Sequence, residues 1–240
     1  MRGLLRQLVQ NLDPAKLTRS PSPVPVPKNK VAENSGKTEI ITQAMIWPAI
    51  GDFLQENDIV VTETGTANFG IWETKFPPGV TALSQVLWGS IGWSVGACQG
   101  AALAAVDAGG KRRTILFVGD GSFQLTAQEV STMLKHDLKP IIFVLCNDGY
   151  TIERFIHGMD AEYNDIATWQ HTTLVEAFGG AAKGAKTYQV KTQKEIRDLF
   201  NDKEFKAANV LQLVEVFIPK EDAPGALKMT AQASAKANAS

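Results

Sequence analysis

Asp120 and Asn147 each sit in a short polar loop beside glycine: Gly119-Asp120-Gly121-Ser122 and Asn147-Asp148-Gly149. One loop offers a carboxylate, the other an amide oxygen, and both offer backbone carbonyls. Hard oxygen ligands on small loops suit Mg2+ or Ca2+, not zinc. Mg2+ takes few protein ligands and completes its octahedron with phosphate oxygens and water. Gly121 and Ser122 lead into a helix, where free N–H groups attract phosphate. The spacing therefore predicts a divalent cation gripping a diphosphate.

Two apolar runs must position these loops. Thr114–Val118 and Ile141–Leu145 are rich in β-branched and aromatic residues, as buried strands are. Between them, Thr126–Lys135 carries Val130, Met133 and Leu134 at helical spacing. A crossover helix joining parallel strands puts both loops at the carboxyl edge of one sheet. Ligands bind at that edge in open α/β folds. The expected class is α/β, a doubly wound and mainly parallel sheet with helices on both faces.

GDG followed at this distance by an asparagine is similar to the signature of thiamine-diphosphate enzymes. The surrounding strings GDGSFQLTAQEVSTM, FVLCNDGYTIE and SQVLWGSIGWSVGA are more specific. They resemble the carboxy-terminal cofactor-binding domain of the pyruvate decarboxylase family, over Lys37 to Pro219. One departure lies in the motif: the family has two asparagines, and here the first is Cys146. The resemblance implies thiamine diphosphate and Mg2+ as cofactors, with Asp120, Asn147 and Gly149 as metal ligands. It places Thr64, Thr66, Gly89, Ile91, Gly121, Ser122, Asn147, Gly149, Tyr150 and Thr151 against the organic cofactor, and gives Glu153 a catalytic role. In the family a glycine carbonyl, here at Gly89, accepts a hydrogen bond from the aminopyrimidine. A bulky aliphatic residue, here Ile91, wedges the two cofactor rings into a V.

Each assignment has a plainer reading. Thr64 and Thr66 could satisfy their own loop backbone. Ile91 alone would be a core isoleucine. Glu153 falls in the first turn of a helix Thr151–His157, where the dipole favours an acid. In the family this glutamate assists decarboxylation and proton delivery, which would need a pKa raised by burial against the cofactor.

Composition narrows the rest. The chain has 240 residues, enough for one ordinary domain with extensions, and a net charge of −1. That charge gives no electrostatic case for nucleic acid or an anionic membrane. Its two cysteines, Cys98 and Cys146, lie in apolar surroundings, consistent with a reducing compartment such as the cytoplasm. His136, His157 and His171 are scattered and receive no role. Thr81–Val106 lacks charge and repeats glycine at Gly92, Gly96 and Gly100. Such a run is either a transmembrane helix or a buried helix packing a small face on the sheet. Its glutamines, serines and glycines favour the second.

In chain order, Met1–Asn11 is a short amphipathic pattern, either presequence-like or the tail of a preceding domain. Ser20–Lys28 has four prolines and reads as an extended linker. Thr38 is expected to cap a helix reaching Asp52 and bent at Pro48. Asp58–Glu63 reads as a strand. Thr192 is expected to cap a helix Gln193–Phe200. Val210–Ile218 reads as a last strand with one less buried face. The expected divisions are 1–36, amphipathic segment and linker; 37–219, cofactor-binding domain; and 220–240, a mobile tail or a loose helix over the site.

The resemblance implies non-oxidative decarboxylation of a 2-keto acid, pyruvate to acetaldehyde and carbon dioxide, by a homo-oligomer, dimer or tetramer. In the family, a glutamate contacting the aminopyrimidine and a histidine pair come from an amino-terminal domain of the other subunit. Nothing in this sequence matches that domain. The chain is therefore expected to be a carboxy-terminal fragment, a partial product or one chain of a split enzyme, inactive in isolation. Two alternatives stay open: a decarboxylase for indolepyruvate or phenylpyruvate, and a non-catalytic module that binds cofactor or a partner.

Overall fold

A computed structural model describes residues 2–13 and 39–238. The proline-rich stretch Ser20–Lys28 and the Thr38 cap lie outside the described residues. Residues Met1–Lys30 form one unit and Val31–Ser240 another. Within the first, Arg2–Asn11 is a helix (α1) whose Leu4, Leu5 and Val9 are exposed.

The second unit runs α2 (Gln43–Phe53), β1 (Ile59–Thr62), α3 (Thr66–Gly70), β2 (Thr81–Ser84), α4 (Trp93–Asp107), β3 (Thr114–Gly119), α5 (Asp120–Thr126) and α6 (Glu129–Lys135). It continues with β4 (Ile141–Cys146), α7 (Thr151–His157), α8 (His171–Ala177), β5 (Lys186–Val190), α9 (Gln193–Asn201), α10 (Lys203–Ala207), β6 (Gln212–Phe217) and α11 (Gly225–Asn238). The strands form a six-stranded sheet in the order β2-β1-β3-β4-β6-β5, every pairing parallel.

Alternation along the central strands feeds two cores. Ile115 and Phe117 of β3, with Ile141, Phe143 and Leu145 of β4, meet α2, α9 and α10 on one face. Leu116, Val118, Ile142 and Val144 meet α4 and α6 on the other. Phe143 is fully buried, stacked on Phe117 at 5.0 Å and edge-on to Phe53 at 5.9 Å and Phe200 at 5.9 Å. Truncating a ring so enclosed leaves a cavity that rigid strands cannot close. Phe143→Ala is therefore expected to cost about 3–5 kcal/mol in urea unfolding. A loss under ~1 kcal/mol would show that the core collapses around the gap.

Several elements differ from the sequence reading. Two helices, α5 and α6, replace the single crossover, and α5 begins at Asp120 itself. Thr81–Val106 divides into an edge strand, a loop and α4, because Gly89 and Gly92 have φ of +55° and +88°. No described helix is long and apolar enough to cross a membrane. Within α4 the sheet-facing residues are Val95, Cys98, Ala102 and Ala105. A small face does pack on the sheet, but it is built from serine, cysteine and alanine (Ser94, Cys98, Ala102, Ala105), while Gly96 and Gly100 are exposed on the other side.

Helix α2 continues through Pro48 to Phe53, its Trp47 Nε1 donating to Gln43 Oε1 at 2.6 Å. Strand β6 is buried on both faces because Val214 and Val216 enter one core and Leu213 the other, and its edges pair with β4 and β5, the latter a strand the pattern did not suggest. Residues 220–240 contain helix α11, whose Leu227 is fully buried. Just before it, Asp222 Oδ2 accepts from the Gln43 backbone N–H at 2.6 Å, at the amino end of α2.

Candidate functional site

The parallel order brings the carboxyl ends of β1, β3 and β4 side by side, and a cleft opens there. Thr64, Thr66, Ile91, Gly121, Ser122, Asn147, Gly149, Tyr150 and Thr151 all line it. These nine come from four separate loops. Gly89 is outside the lining, with the Thr64 hydroxyl 3.7 Å from where a β-carbon would stand. Asp120 lies beneath the floor, 4 % exposed.

Asp120 ties the two loops together. Its Oδ1 accepts from Gly121 N–H at 2.8 Å, and its Oδ2 from Asn147 and Asp148 N–H at 3.0 and 2.8 Å. Burial pushes its pKa above the usual carboxylate range, opposed by those three N–H donors. The buried charge still needs a counter-ion.

The Asn147 amide shows where one fits. Its nitrogen donates to Thr151 Oγ1 at 2.8 Å, so its oxygen faces the other way, where only acceptors stand. Those are the Gly149 carbonyl at 3.0 Å and Asp120 Oδ1 at 3.1 Å. Three oxygens facing one another without a hydrogen between them repel unless a cation sits among them. Around an octahedral Mg2+ with ligands at ~2.0–2.1 Å, adjacent oxygens are ~2.9–3.0 Å apart. The residues present therefore fit the ion. A half-turn of the amide gives the cation-free arrangement, with the nitrogen donating to both acceptors and the oxygen accepting from Thr151.

Thr151 thus reports the state of the amide. In the cation-competent orientation its hydroxyl accepts from Asn147 and donates to the Lys220 carbonyl at 3.1 Å. Thr151→Val removes both bonds at nearly constant volume. It is expected to weaken Mg2+-dependent cofactor binding by roughly tenfold, the worth of one buried hydrogen bond. Fluorescence titration reads this directly, and an unchanged affinity would remove Thr151 from the site.

Glu153 does not line the cleft, although Thr151 and Ile152 do. Its carboxylate is 37 % exposed and 3.4 Å from His157 Nε2, one turn along α7. The expected burial of this group is therefore not seen.

Three further buried groups support the site, and of their members only Cys146 stood out in the sequence. Glu63 is 1 % exposed and lines the cleft. It accepts from Thr64 N–H at 2.8 Å, Gly92 N–H at 3.1 Å and Ser94 Oγ at 2.8 Å, pinning the β1 loop to the start of α4. Burial raises its pKa against those donors. Arg154 donates to the Asp148 and Asn164 carbonyls at 3.0 and 3.3 Å and pairs with Asp165, holding the Asn147 loop from below. The third group is Cys146, His171 and Glu215, behind Asp120. A carboxylate or guanidinium reads as solvated until tertiary structure encloses it; the available signal for Glu63 was its place beside Thr64.

Comparison with known proteins gives the family and the fold. Residues 63–216 match the family "Thiamine pyrophosphate enzyme, C-terminal TPP binding domain". A pyruvate decarboxylase of Aspergillus fumigatus is 58 % identical over 240 residues, 99 % of this chain and 41 % of that protein. One of Aspergillus terreus is 54 % identical, over 100 % of this chain and 41 % of its own length. The chain thus spans about two-fifths of the curated relatives it matches. A Rhodococcus jostii RHA1 thiamine diphosphate-dependent 4-hydroxybenzoylformate decarboxylase superposes with a TM-score of 0.67 at 20 % identity. That match covers 90 % of this chain and 39 % of the other and attests to the fold.

Proposed function

The chain belongs to the thiamine pyrophosphate enzyme family through its C-terminal TPP binding domain, and on that premise we propose that it forms the diphosphate- and Mg2+-binding half of a 2-keto acid decarboxylase site. The reaction we assign is pyruvate to acetaldehyde and carbon dioxide, in the cytoplasm, by a homo-oligomer. The substrate follows from the printed names of relatives 46–58 % identical to this chain. The observation that carries the reading is that one end of the Asn147 amide lies 3.0 Å from the Gly149 carbonyl oxygen and 3.1 Å from Asp120 Oδ1, distances that adjacent ligands of Mg2+ would keep.

When bound, thiamine diphosphate supplies the nucleophilic carbon and the electron sink for loss of carbon dioxide. The chain's own residues position it. Asp120, Asn147 and Gly149 would hold Mg2+. Ser122 and Gly121, in the first turn of α5, would face the diphosphate, with Thr64 and Thr66 on the opposite wall. Ile91 projects into the cleft at the mouth, where it would keep the cofactor bent. Gly89 would offer its carbonyl beside Thr64. Tyr150 covers Gly121: a β-carbon on that glycine would meet the Tyr150 ring at 2.8 Å.

Glu153 directly follows two cleft residues, Thr151 and Ile152, in the chain. We assign it proton delivery. Glu153→Gln in the complete enzyme is expected to lower kcat by about 10²–10³-fold while leaving cofactor affinity within about threefold. Parallel loss of affinity would make it a structural residue of α7 instead. The reading as a whole is tested by calorimetric titration of the chain with thiamine diphosphate. One equivalent should bind with Mg2+ and little should bind with chelator. Equal binding under both conditions would remove the cation from the site.

A further inference from the structure

Behind Asp120, on the α4–α6 side of the sheet, three side chains from three elements meet. They are Cys146 at the end of β4, His171 opening α8 and Glu215 within β6. All three are buried, and one donor atom from each lies within 4.8 Å of the others. Cys146 Sγ is 3.9 Å from His171 Nδ1, which is 3.0 Å from Glu215 Oε1.

We propose that Cys146, His171 and Glu215 form a second metal site, selective for a borderline-soft dication such as Zn2+ and distinct from the all-oxygen Mg2+ site. Two of the separations, 3.9 and 3.0 Å, lie within about half an ångström of those the ion would impose, and the third, from Cys146 to Glu215, is within 4.8 Å. Tetrahedral zinc, with bonds of ~2.3 Å to sulfur and ~2.0–2.1 Å to nitrogen or oxygen, holds its ligands ~3.3–3.6 Å apart. The mixed sulfur, nitrogen and oxygen set disfavours Mg2+.

Charge also balances. On binding, the thiol releases its proton to solvent and the imidazole proton moves from Nδ1 to Nε2. A thiolate, a carboxylate and a dication then leave no net charge in a buried space. The carboxylate is already oriented. Gln189 Nε2 donates to Glu215 Oε2 at 2.7 Å, and the His171 backbone N–H donates to Oε1 at 2.7 Å. Such supporting bonds fix the ligands of built metal sites. The asparagine that the pyruvate decarboxylase family has in place of Cys146 could not supply the sulfur. The proposal is independent of the thiamine reading.

Cadmium is the probe, added to the 240-residue chain in excess Mg2+ so that the oxygen site is occupied. One equivalent should produce thiolate-to-cadmium charge-transfer absorption in the near ultraviolet. Cys98→Ser should keep the band, Cys146→Ser should abolish it, and His171→Gln should weaken binding at least tenfold. Zn2+ should raise the thermal midpoint of the native chain and leave that of Cys146→Ser unchanged. Cadmium NMR of the native chain needs no variant: a resonance at a position for one sulfur with nitrogen and oxygen supports the site, and an all-oxygen position overturns it. Absence of the band in the native chain, or its survival in Cys146→Ser, also overturns it. If Cys146→Ser does not fold, Cys146→Asn carries the same comparison.

Discussion

Asp120→Asn is expected to abolish Mg2+-dependent binding of thiamine diphosphate, weakening it by at least about 100-fold, or ~2.7 kcal/mol. The substitution keeps volume but removes the charge and one acceptor. An amide at this position must turn its NH2 group toward one carboxylate position or the other. Toward Oδ1 it meets the Gly121 N–H and occupies the corner the cation needs; toward Oδ2 it meets the Asn147 and Asp148 N–H groups. Either choice sets donor against donor in a buried place. The binding loss must be separated from unfolding, so far-ultraviolet circular dichroism accompanies the calorimetry. His157→Ala, on an exposed side chain that pairs only with Glu153 among the described residues, is the control and should bind normally. Binding by Asp120→Asn within fivefold of the native chain would move the cation elsewhere.

Gly149→Ala is expected to be nearly as severe, for a steric reason. Gly149 has φ of +125°, and a β-carbon there would stand 2.0 Å from the Asn164 carbonyl oxygen. That oxygen cannot retreat freely, because Tyr150 N–H and Arg154 both donate to it. Strain and collision together should cost about 3 kcal/mol or more and displace the Gly149 carbonyl from the metal corner. Gly158→Ala separates the two causes. Gly158 has φ of +120° with open space around its would-be β-carbon, so only the conformational cost remains, ~1–3 kcal/mol. Equal stabilities for the two variants in urea unfolding would mean that the Asn164 contact yields easily.

Much of this was legible in the residues. The paired loops after β3 and β4, their shared sheet edge and the capping box at Thr192 follow from local pattern. Those signals are short-range: an apolar run, a glycine at a turn, a threonine three residues before a glutamate. What escaped depends on which elements become neighbours. β5 is half-exposed and mixed in composition, and is a strand because β6 offers it an edge. The glycines of α4 suggest a face that packs closely, yet that helix turns its valine and cysteine to the sheet instead. Glu63, Arg154, His171 and Glu215 look like ordinary polar residues along the chain. Their burial is created by contacts 29 to 44 residues away in the cases of Gly92 and Glu215. Glu153 reads as catalytic only through its string, and in the structure its partner is the exposed His157.

The Thr151 hydroxyl joins Asn147 to the Lys220 carbonyl, two residues before the aspartate that caps α2. Only the amide orientation that welcomes the ion leaves this hydroxyl free to donate to Lys220. Seating of the final helix and uptake of magnesium are therefore thermodynamic partners: each must favour the other by the same factor. Amide exchange along Gly225–Asn238 should slow when the metal is added, so that the far end of the polypeptide registers an event at the cofactor floor.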